Sequence, residues 1–304
     1  MDPVIDIENL TKRYDGKAVV GGISFSVQRG ECFGLLGPNG AGKSTTLRMM
    51  IGLAPIDGGK LTVFGKPMHP EEVDIPRRLG VVPQEDNLDT DLTVIENLLI
   101  YAGFFGLSER KVRPRALELL DFVQLKDRAE ARVRELSGGM KRRLVIARAL
   151  IAEPEAVVLD EPTTGLDPQA RHLIWQRLRA LKEQGVTLIL TTHYMEEAAQ
   201  LCDRLLVLDH GKILDLGTPQ ELIERHVEPD VIEIRLNGSG ETGEALLEGL
   251  SCRFELVGDT GYCYTDSPWD VMDRLKTRRD LVFLHRPASL EDVFLKLTGR
   301  ELRD

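Results

Sequence analysis

The residues Gly37-Pro38-Asn39-Gly40-Ala41-Gly42-Lys43-Ser44-Thr45 match the pattern G-x-x-x-x-G-K-[ST]. An apolar run from Cys32 to Leu36 stands directly before them, and helical spacing starts at Lys43. Glycines let the backbone wrap so tightly that successive N–H groups point at phosphate oxygens, and the following helix adds its positive end. Lys43 then reaches the β- and γ-phosphates, and the Ser44 hydroxyl is offered to Mg²⁺. The stretch predicts a strand, a phosphate-binding loop and a helix.

A second apolar run, Ala156 to Leu159, ends at Asp160 and is followed at once by Glu161. In phosphate-loop proteins, an aspartate at the end of such a strand holds Mg²⁺. A further carboxylate beside a phosphate can orient and deprotonate an attacking water. We therefore expect Asp160 at the metal and Glu161 as the catalytic base.

Further apolar runs place these two features in an α/β fold. Thr187–Leu190 is another short buried run that ends in polar residues, as strands of a mostly parallel sheet do. Ligands bind at the carboxyl ends of such strands. Residues 4–35 are predicted to form strands and turns, because Ile5–Glu8 and Ile23–Val27 alternate at period two. Residues 92–134 carry apolar side chains at spacings of three and four, which predicts a helical insertion.

Composition excludes several classes of protein. The 304 residues carry a net charge of −10, which argues against a nucleic-acid partner, because that class needs basic surface. A hydrophobic content of 42% is too high for a disordered chain. No uninterrupted apolar stretch reaches the roughly 18 residues that cross a bilayer. The four cysteines contain no C-x-x-C pair. We expect an intracellular protein without a membrane span of its own.

The stretch Leu136-Ser137-Gly138-Gly139-Met140 resembles the signature of ATP-binding cassette (ABC) proteins, and further matches stand in the family's order. The matching residues are Tyr14 (adenine stacking), Gln84 (Q-loop), Asp167 (D-loop) and His193 (switch region). The resemblance covers about residues 4–225. It implies an ATPase with a P-loop cassette: a mixed central sheet with helices, an antiparallel β subdomain and a helical insertion.

The same resemblance implies particular roles for the matched residues. Gln84, Glu161 and His193 would be catalytic, and Ser44, Gln84 and Asp160 would contact Mg²⁺. ATP would lie on the loop from Gly37 to Thr45. These roles rest on the family's motifs as they stand in this sequence.

The signature stretch also has a physical interpretation. Ser137 is suited to cap a helix that begins with Gly138 and Gly139, which makes a second anion-binding helix terminus. One chain cannot easily aim two such termini at one phosphate. The family's answer is a head-to-tail homodimer in which each signature covers the ATP of the other subunit. Met140 and Gly165 replace commoner residues of the signature and D-loop, and we still expect activity because the phosphate-facing Ser137 and Gly139 are kept.

The spacing of the motifs limits the classes of ABC protein to which this ATPase can belong. Only 52 residues separate Gln84 from Ser137, too few for the long coiled coil of chromosome-organising ABC ATPases. The single cassette differs from ABC proteins that act on ribosomes. A transporter subunit remains, and it must bind a separate membrane protein. In the family, a short helix of that partner sits in a groove near the Q-loop. The candidate groove residues are Asn87, Leu88, Leu92, Thr93, Asn97 and Tyr101.

Longer stretches resemble ABC-2 type exporters of drugs, polysaccharides or lipids. These stretches are Glu31–Gly37, Leu136–Arg143 and Leu290–Arg300. A second set resembles the nodulation-factor branch: Asp86–Asp89, Arg171–Trp175, Leu201–Leu205 and Val231–Ile234. This branch implies export of a lipo-chitooligosaccharide through an ABC-2 permease similar to nodulation protein J. Glu85 departs from it, because an aromatic residue is expected there. An importer ATPase and a non-transport ABC regulator remain as alternatives.

A composition shift near Val227-Glu228-Pro229 predicts a domain boundary. Residues 1–228 would form the nucleotide-binding domain, with a helical subdomain at about 85–135, and residues 229–304 a small α/β appendage. Strands are predicted at Val231–Leu236, Gly261–Thr265 and Leu281–Leu284, and a helix at Ser289–Leu297. Ser289 and Asp292 suit the N-cap and first turn of that helix. The resemblance places the subunit peripherally on the cytoplasmic face of the inner (plasma) membrane.

Overall fold

The computed structural model describes residues 2–68, 74–235, 247, 249–278 and 281–299. Leu236 of a predicted strand and Arg300 of the exporter-like terminal stretch therefore lie outside the described residues. The described chain forms two compact units, one ending at Leu216 and one beginning at Gly217. The boundary that the sequence predicts, at residue 228, falls inside the second unit.

A six-stranded sheet forms the centre of the first unit, in the order β10-β9-β3-β8-β7-β6. The strands are β3 (Cys32–Leu36), β6 (Leu79–Val82), β7 (Ala156–Asp160), β8 (Thr187–Thr192), β9 (Arg204–Asp209) and β10 (Lys212–Gly217). Strands β6, β7, β8, β3 and β9 run parallel. His210 and Gly211 then turn the chain with positive φ angles of 47° and 73°. A two-residue turn of this kind joins antiparallel strands, so the predicted mixed sheet is confirmed.

A second, antiparallel sheet has the order β2-β1-β4-β5. Its strands are β1 (Ile5–Tyr14), β2 (Lys17–Val27), β4 (Gly58–Val63) and β5 (Lys66–Pro67). Ile5, Ile7 and Leu10 of β1 are buried, and they share one apolar core with Phe33 of the central sheet and Leu47 of the following helix. Burial of this face stabilises the predicted antiparallel subdomain.

Seven helices are described in the first unit. They are α1 (Lys43–Met50), α2 (Asp74–Arg78), α3 (Val94–Phe104), α4 (Glu109–Phe122), α5 (Gly138–Ala149), α6 (Pro168–Glu183) and α7 (Met195–Leu201). Helices α3 and α4 lie within residues 92–134, the predicted helical insertion, and both pack on α5, which follows it. Thr93 and Glu96 form a capping box at the start of α3, which satisfies the first free N–H groups.

The second unit is a small α/β fold with a four-stranded antiparallel sheet in the order β12-β13-β11-β14. Its elements are β11 (Asp230–Arg235), β12 (Arg253–Val257), β13 (Thr260–Thr265), β14 (Val282–Pro287), α8 (Pro219–His226), α9 (Pro268–Leu275) and α10 (Leu290–Thr298). Ser289 and Asp292 form the predicted cap of α10. Arg286 donates to both carboxylate oxygens of the buried Asp292, at 2.7 and 2.9 Å, which fixes α10 on the sheet.

Candidate functional site

The loop between β3 and α1 requires glycine because other backbone approaches it closely. A Cβ atom on Gly37 would lie 2.2 Å from the carbonyl oxygen of Leu208. A Cβ atom on Gly42 would lie 2.6 Å from that of Val19, and Gly42 has a φ of 104°. Asn39 and Gly40 are exposed at the crest of the loop. The loop thus presents its backbone N–H groups at the positive end of α1.

Lys43 begins α1 and is only 4% exposed. Its Nζ donates to the carbonyl oxygens of Gly37 at 2.7 Å and Pro38 at 3.1 Å, and lies 3.7 Å from Oε1 of Glu161. Burial lowers the pKa of Lys43, and the carboxylates of Glu161 and Asp160 oppose that effect. A cation is therefore held between the loop and the end of β7, where it can meet the negative charge of a phosphate.

Ser44 and Asp160 meet at the same edge of the central sheet. The Ser44 hydroxyl donates to Oδ1 of Asp160 at 3.0 Å, and the Thr191 hydroxyl donates to the same atom at 2.6 Å. Asp160 and Thr191 are direct partners in the parallel pair of β7 and β8. The cluster offers oxygen atoms only, which are the ligands that Mg²⁺ prefers. Its few protein ligands suit a Mg²⁺ ion that is also held by phosphate oxygens and water.

Glu161 follows Asp160 in a left-handed backbone conformation, with φ at 47°. Its Oε2 accepts from Thr164 Oγ1 at 3.2 Å and Gln84 Nε2 at 3.4 Å, and its Oε1 lies 3.4 Å from His193 Nδ1. The contact with His193 lowers the pKa of Glu161 most strongly; burial opposes it and Lys43 adds to it. Glu161 is therefore a carboxylate at neutral pH and can accept a proton or a hydrogen bond from water.

Ser137 and Asp167 occupy a second surface of the first unit. Ser137 caps α5, and its Oγ accepts from the Met140 N–H at 3.3 Å. Asp167 caps α6, and its Oδ1 accepts from the Ala170 N–H at 2.9 Å. Ser137, Gly139 and Asp167 line one cavity of about 510 Å³. The signature and D-loop residues thus lie together, whereas Lys43, Asp160, Glu161 and His193 cluster around the loop after β3.

The structure places the remaining predicted residues differently. Tyr14 ends β1, is 46% exposed, and has Lys12 Nζ 5.2 Å from its ring centroid. Gln84 and Asn87 line a cavity of about 290 Å³ together with Leu53, which is 75% exposed. Of the six predicted groove residues, Asn87 is the one that lines this cavity, which also reaches Asp160.

Two predicted groove residues have intramolecular roles. Asn97 is 5% exposed, and its amide exchanges hydrogen bonds with the backbone of Asp89 in both directions, at 3.0 Å each. Its Nδ2 also donates to the Thr93 carbonyl at 3.0 Å. Thr93 itself is the N-cap of α3. Asn97 therefore holds the chain after the Q-loop against α3 and is not accessible to a partner.

Sequence reasoning missed Arg142, Thr191 and Glu197. Thr191 bridges the two carboxylate residues, because its Oγ1 also accepts from the Glu161 N–H at 3.0 Å. Glu197 is fully buried, one turn of helix after His193. Arg142 is 4% exposed and donates to backbone carbonyls at the ends of β6 and β7. Helical spacing from Arg142 to the buried Val145 and Ile146 places Arg142 on the buried face of α5, but that spacing does not indicate its hydrogen-bond partners.

Family models match both units. The ABC transporter model matches residues 20–164, and the C-terminal domain of nodulation factor export protein NodI matches residues 227–299. The Nod factor export ATP-binding protein I of Burkholderia thailandensis is 54% identical over 300 residues, covering 99% of this chain and 98% of the relative. The protein of the same name from Rhizobium sp. strain N33 is 54% identical over 298 residues, covering 98% of each chain.

Solved structures match the first unit. The cbiO1 structure from Clostridium perfringens, part of the ABC transporter complex cbiONQ, has a TM-score of 0.69 and 29% identity over 74% of this chain and 92% of that chain. The dimeric ATP-binding cassette MJ0796 bound to ADP and Pi has a TM-score of 0.64 and 29% identity over 70% of this chain and 98% of that chain. With relatives above 50% identity along its whole length, this chain belongs to the ABC transporter family as an ATP-binding ATPase subunit.

Proposed function

We propose that this chain is the ATP-hydrolysing subunit of an ABC-2 type export complex that moves a lipo-chitooligosaccharide through a separate permease. The observation that carries the proposal is the identity with Nod factor export ATP-binding proteins along 99% of the chain. That identity includes residues 227–299, which match the C-terminal domain of the nodulation export family. The cargo follows from these relatives alone, because the ATP-site residues act on ATP and not on the cargo.

The clustered residues support a direct hydrolysis of ATP. Lys43 and the backbone N–H groups of residues 37–42 bind the phosphates, and Tyr14 stacks on the adenine. Glu161 orients the attacking water and accepts its proton, since its carboxylate is ionised and lies beside Lys43. His193 and Gln84 contact the same carboxylate and hold it and the water in place.

Mg²⁺ fits the oxygen donors at the end of β7. Ser44, Asp160 and Gln84 would hold the ion, and it would neutralise charge on the phosphate oxygens. Thr191 keeps the Asp160 carboxylate turned toward Ser44 through its 2.6 Å hydrogen bond. Within the described residues, no cluster of three His, Cys, Asp or Glu side chains could hold a metal ion alone. The donor set thus suits an ion that arrives with the nucleotide.

A head-to-tail homodimer would complete each ATP site. Ser137, Gly138 and Gly139 start α5, whose free N–H groups would meet the γ-phosphate of the ATP on the other subunit. Asp167 lies beside them and would contact the facing subunit. The cassette MJ0796, similar to this chain in fold, is a dimer in its solved structure. ATP would close the dimer, and hydrolysis would remove the phosphate contacts that held it closed.

A membrane permease similar to nodulation protein J would be the driven partner. No helix in the described ranges has both the length and the apolar character that a membrane crossing needs. The subunit would bind peripherally at the cytoplasmic face of the inner membrane. The docking groove would lie along α3 and the Q-loop, where Asn87 and Phe104 are exposed and Leu88, Leu92 and Tyr101 are partly so. Phe104 is 81% exposed and packs edge-on against Tyr101.

Co-expression with an ABC-2 permease similar to nodulation protein J tests the proposal. We expect the tagged permease to retain this chain from detergent extract, and Phe104→Asp to weaken that retention. Inverted vesicles that carry the complex should take up a labelled lipo-chitooligosaccharide when ATP is supplied. Vesicles with Glu161→Gln are the matched control and should take up none. Uptake of other saccharides but not of this one would contradict the cargo, and capture by an importer permease or by ribosomes would favour those alternatives.

A further inference from the structure

Arg142 lies in the second turn of α5 and is buried, and backbone carbonyl oxygens accept its hydrogen bonds. The Asp86 carboxylate is 4.0 Å from Nη1, beyond hydrogen-bond distance. The guanidinium has five N–H donors, and backbone carbonyl oxygens satisfy them. Nε donates to Pro162 at 2.8 Å, Nη2 to Asp160 at 2.9 Å and Glu161 at 3.1 Å, and Nη1 to Gln84 at 3.3 Å and to Pro83.

The five carbonyls belong to two loops. Pro83 and Gln84 directly follow β6, whereas residues 160–162 end β7 and begin the turn after it. Because β6 and β7 are parallel neighbours, both loops leave the same edge of the sheet. The guanidinium therefore joins the start of the Q-loop to the turn that carries Glu161, and joins both of them to α5.

Arg142 also supports the unusual backbone of Glu161. A φ of 47° is a conformation that residues other than glycine rarely adopt. Three hydrogen bonds hold it: the Glu161 N–H donates to Thr191 Oγ1 at 3.0 Å, and the Glu161 carbonyl accepts from Arg142 at 3.1 Å and from the Thr164 N–H at 3.4 Å. This conformation determines where the carboxylate points, so Arg142 helps to aim it toward Lys43 and His193.

A second arginine of α5 holds the far end of the Q-loop. Arg148 Nη1 donates to the Asn87 carbonyl at 2.6 Å, and Nη2 donates to the Asp86 carbonyl at 3.2 Å. Together with Arg142, it fastens the chain from Pro83 to Asn87 to one helix. A displacement of Gln84 must therefore be accompanied by a displacement of α5 or by the loss of several hydrogen bonds.

We propose that Arg142 is a positioning residue that couples the two ATP sites of the dimer. It fixes Gln84 and Glu161, which act on the ATP of its own subunit, relative to the helix whose first residues face the ATP of the other subunit. This inference rests on the proposed function, since it requires the homodimer and the assigned roles of Glu161 and Ser137. Neither lysine nor glutamine can replace the guanidinium of Arg142, because neither side chain has five N–H donors in one rigid plane.

Arg78 provides a matched control at the opposite end of the same strands. It precedes β6, and it donates from Nε at 2.5 Å and Nη2 at 3.0 Å to Glu155, which precedes β7. Arg78 therefore links β6 to β7 at their amino ends, whereas Arg142 links them at their carboxyl ends. Arg78→Gln should lower the melting temperature without changing the kinetics.

The first experiment compares full-length wild type, Arg142→Gln, Arg142→Lys and Arg78→Gln. We expect Arg142→Gln to lower kcat by about 10- to 100-fold and to reduce the Hill coefficient for ATP toward one. Its affinity for the fluorescent nucleotide TNP-ATP should stay within about twofold of wild type, because the phosphate loop is intact. The kcat and Hill coefficient of Arg142→Lys should lie between those of the wild type and Arg142→Gln. If Arg142→Gln does not fold, Arg142→Lys takes its place in the comparison. Wild-type kcat and Hill coefficient in a folded Arg142 variant would overturn the proposal.

A mixed dimer separates coupling from a local effect. One wild-type and one Arg142→Gln subunit, purified with two different tags, should turn over ATP well below the mean of the two homodimers. Turnover equal to that mean would show that Arg142 affects only the ATP site of its own subunit, and this result would overturn the inference. A wild-type protein whose ATP turnover does not depend on dimer formation would instead contradict the proposed function on which the inference rests.

Discussion

His193 Nδ1 lies 3.4 Å from Glu161 Oε1, and this contact joins the carboxyl ends of the neighbouring strands β7 and β8. It is the largest influence that lowers the pKa of Glu161. The two residues are 32 positions apart in the chain, and the parallel register of the two strands brings them together. The proposed base and the proposed switch histidine are therefore in direct contact.

Glu161→Gln should lower ATP turnover by about 100-fold or more, because an amide cannot accept the proton of the attacking water. ATP binding should persist, since Lys43 and the phosphate loop are unchanged. The variant should then accumulate as an ATP-bound dimer. Phosphate release and size-exclusion chromatography in the presence of ATP measure the two effects. Glu183→Gln, at the exposed end of α6, is the control. Undiminished turnover would refute the assignment of the base.

His193→Ala should move the acidic limb of the kcat profile to higher pH. Removing the imidazole takes away the contact that lowers the pKa of Glu161, so that pKa rises toward its ordinary value. In His193→Ala, the Glu161 carboxylate is then protonated at a pH at which the wild-type enzyme is still active. The profile can be measured between about pH 3.5 and pH 7, a range that includes the ordinary glutamate pKa of about 4.3. His210→Ala, whose side chain is 78% exposed, should leave the limb in place.

Glu197→Gln should make thermal stability less dependent on pH. Glu197 Oε1 accepts from Thr163 Oγ1 at 2.7 Å and from Trp175 Nε1 at 3.0 Å. Burial nevertheless raises the pKa of Glu197, and the hydroxyls of Thr192 and Thr163 oppose the rise only in part. The contribution of Glu197 to the free energy of unfolding is therefore largest below its unfolded-state pKa of about 4.3. It declines as the pH rises through the higher pKa that Glu197 has in the folded state.

The melting temperature between about pH 5 and pH 8 tests this prediction. Glutamine keeps an oxygen that can accept from Thr163 and Trp175, and it does not titrate. The wild type should lose stability over this range, and Glu197→Gln should lose less. Glu196→Gln, an exposed neighbour on the same helix, should follow the wild type. An identical decline in Glu197→Gln would show that this carboxyl does not cause it.

Asp292→Asn should destabilise the second unit by about 2 kcal/mol, because the half-buried Arg286 loses one of its two carboxylate partners and keeps Glu233. Asp292 is 1% exposed and also accepts from the Ser289 N–H at 2.8 Å. Burial by itself raises the pKa of Asp292, but Arg286 and Ser289 outweigh it, and the pKa is lowered. The stabilisation is therefore present above the unfolded pKa of about 3.9 and is lost as pH falls through the folded-state value.

Calorimetry of the full chain at about pH 7 and about pH 4 measures this contribution. The difference between wild type and Asp292→Asn should shrink at the lower pH, because the Asp292 carboxylate of the unfolded chain, with its ordinary pKa of about 3.9, starts to take up protons there. Asp270→Asn, exposed in the first turn of α9, should match the wild type at both values. A constant difference would mean that packing, and not charge, explains the loss.

The phosphate loop, the strand that ends at Asp160 and the helical insertion could be predicted from the sequence. Each rests on local physics: glycines that permit a tight loop, buried runs at strand length, and apolar side chains at helical spacing. The capping box of α10 was equally local, because Ser289 and Asp292 are three residues apart. For the same reason, β11, β13 and β14 of the second unit could be predicted from their alternating or β-branched runs, whereas β12 (Arg253–Val257) was not predicted.

The tertiary structure alone decided which side chains touch. The Thr191 bridge between Asp160 and Glu161 depends on the register of β7 and β8. Asn97 is not an accessible part of the predicted groove, because its amide points inward and is hydrogen-bonded to the backbone of Asp89. Arg142 stands in the basic run Lys141-Arg142-Arg143, which by composition is typical of a solvated face. Burial and hydrogen bonding depend on neighbours far away in the chain, so no local pattern could show that this arginine binds two loops of the ATP site.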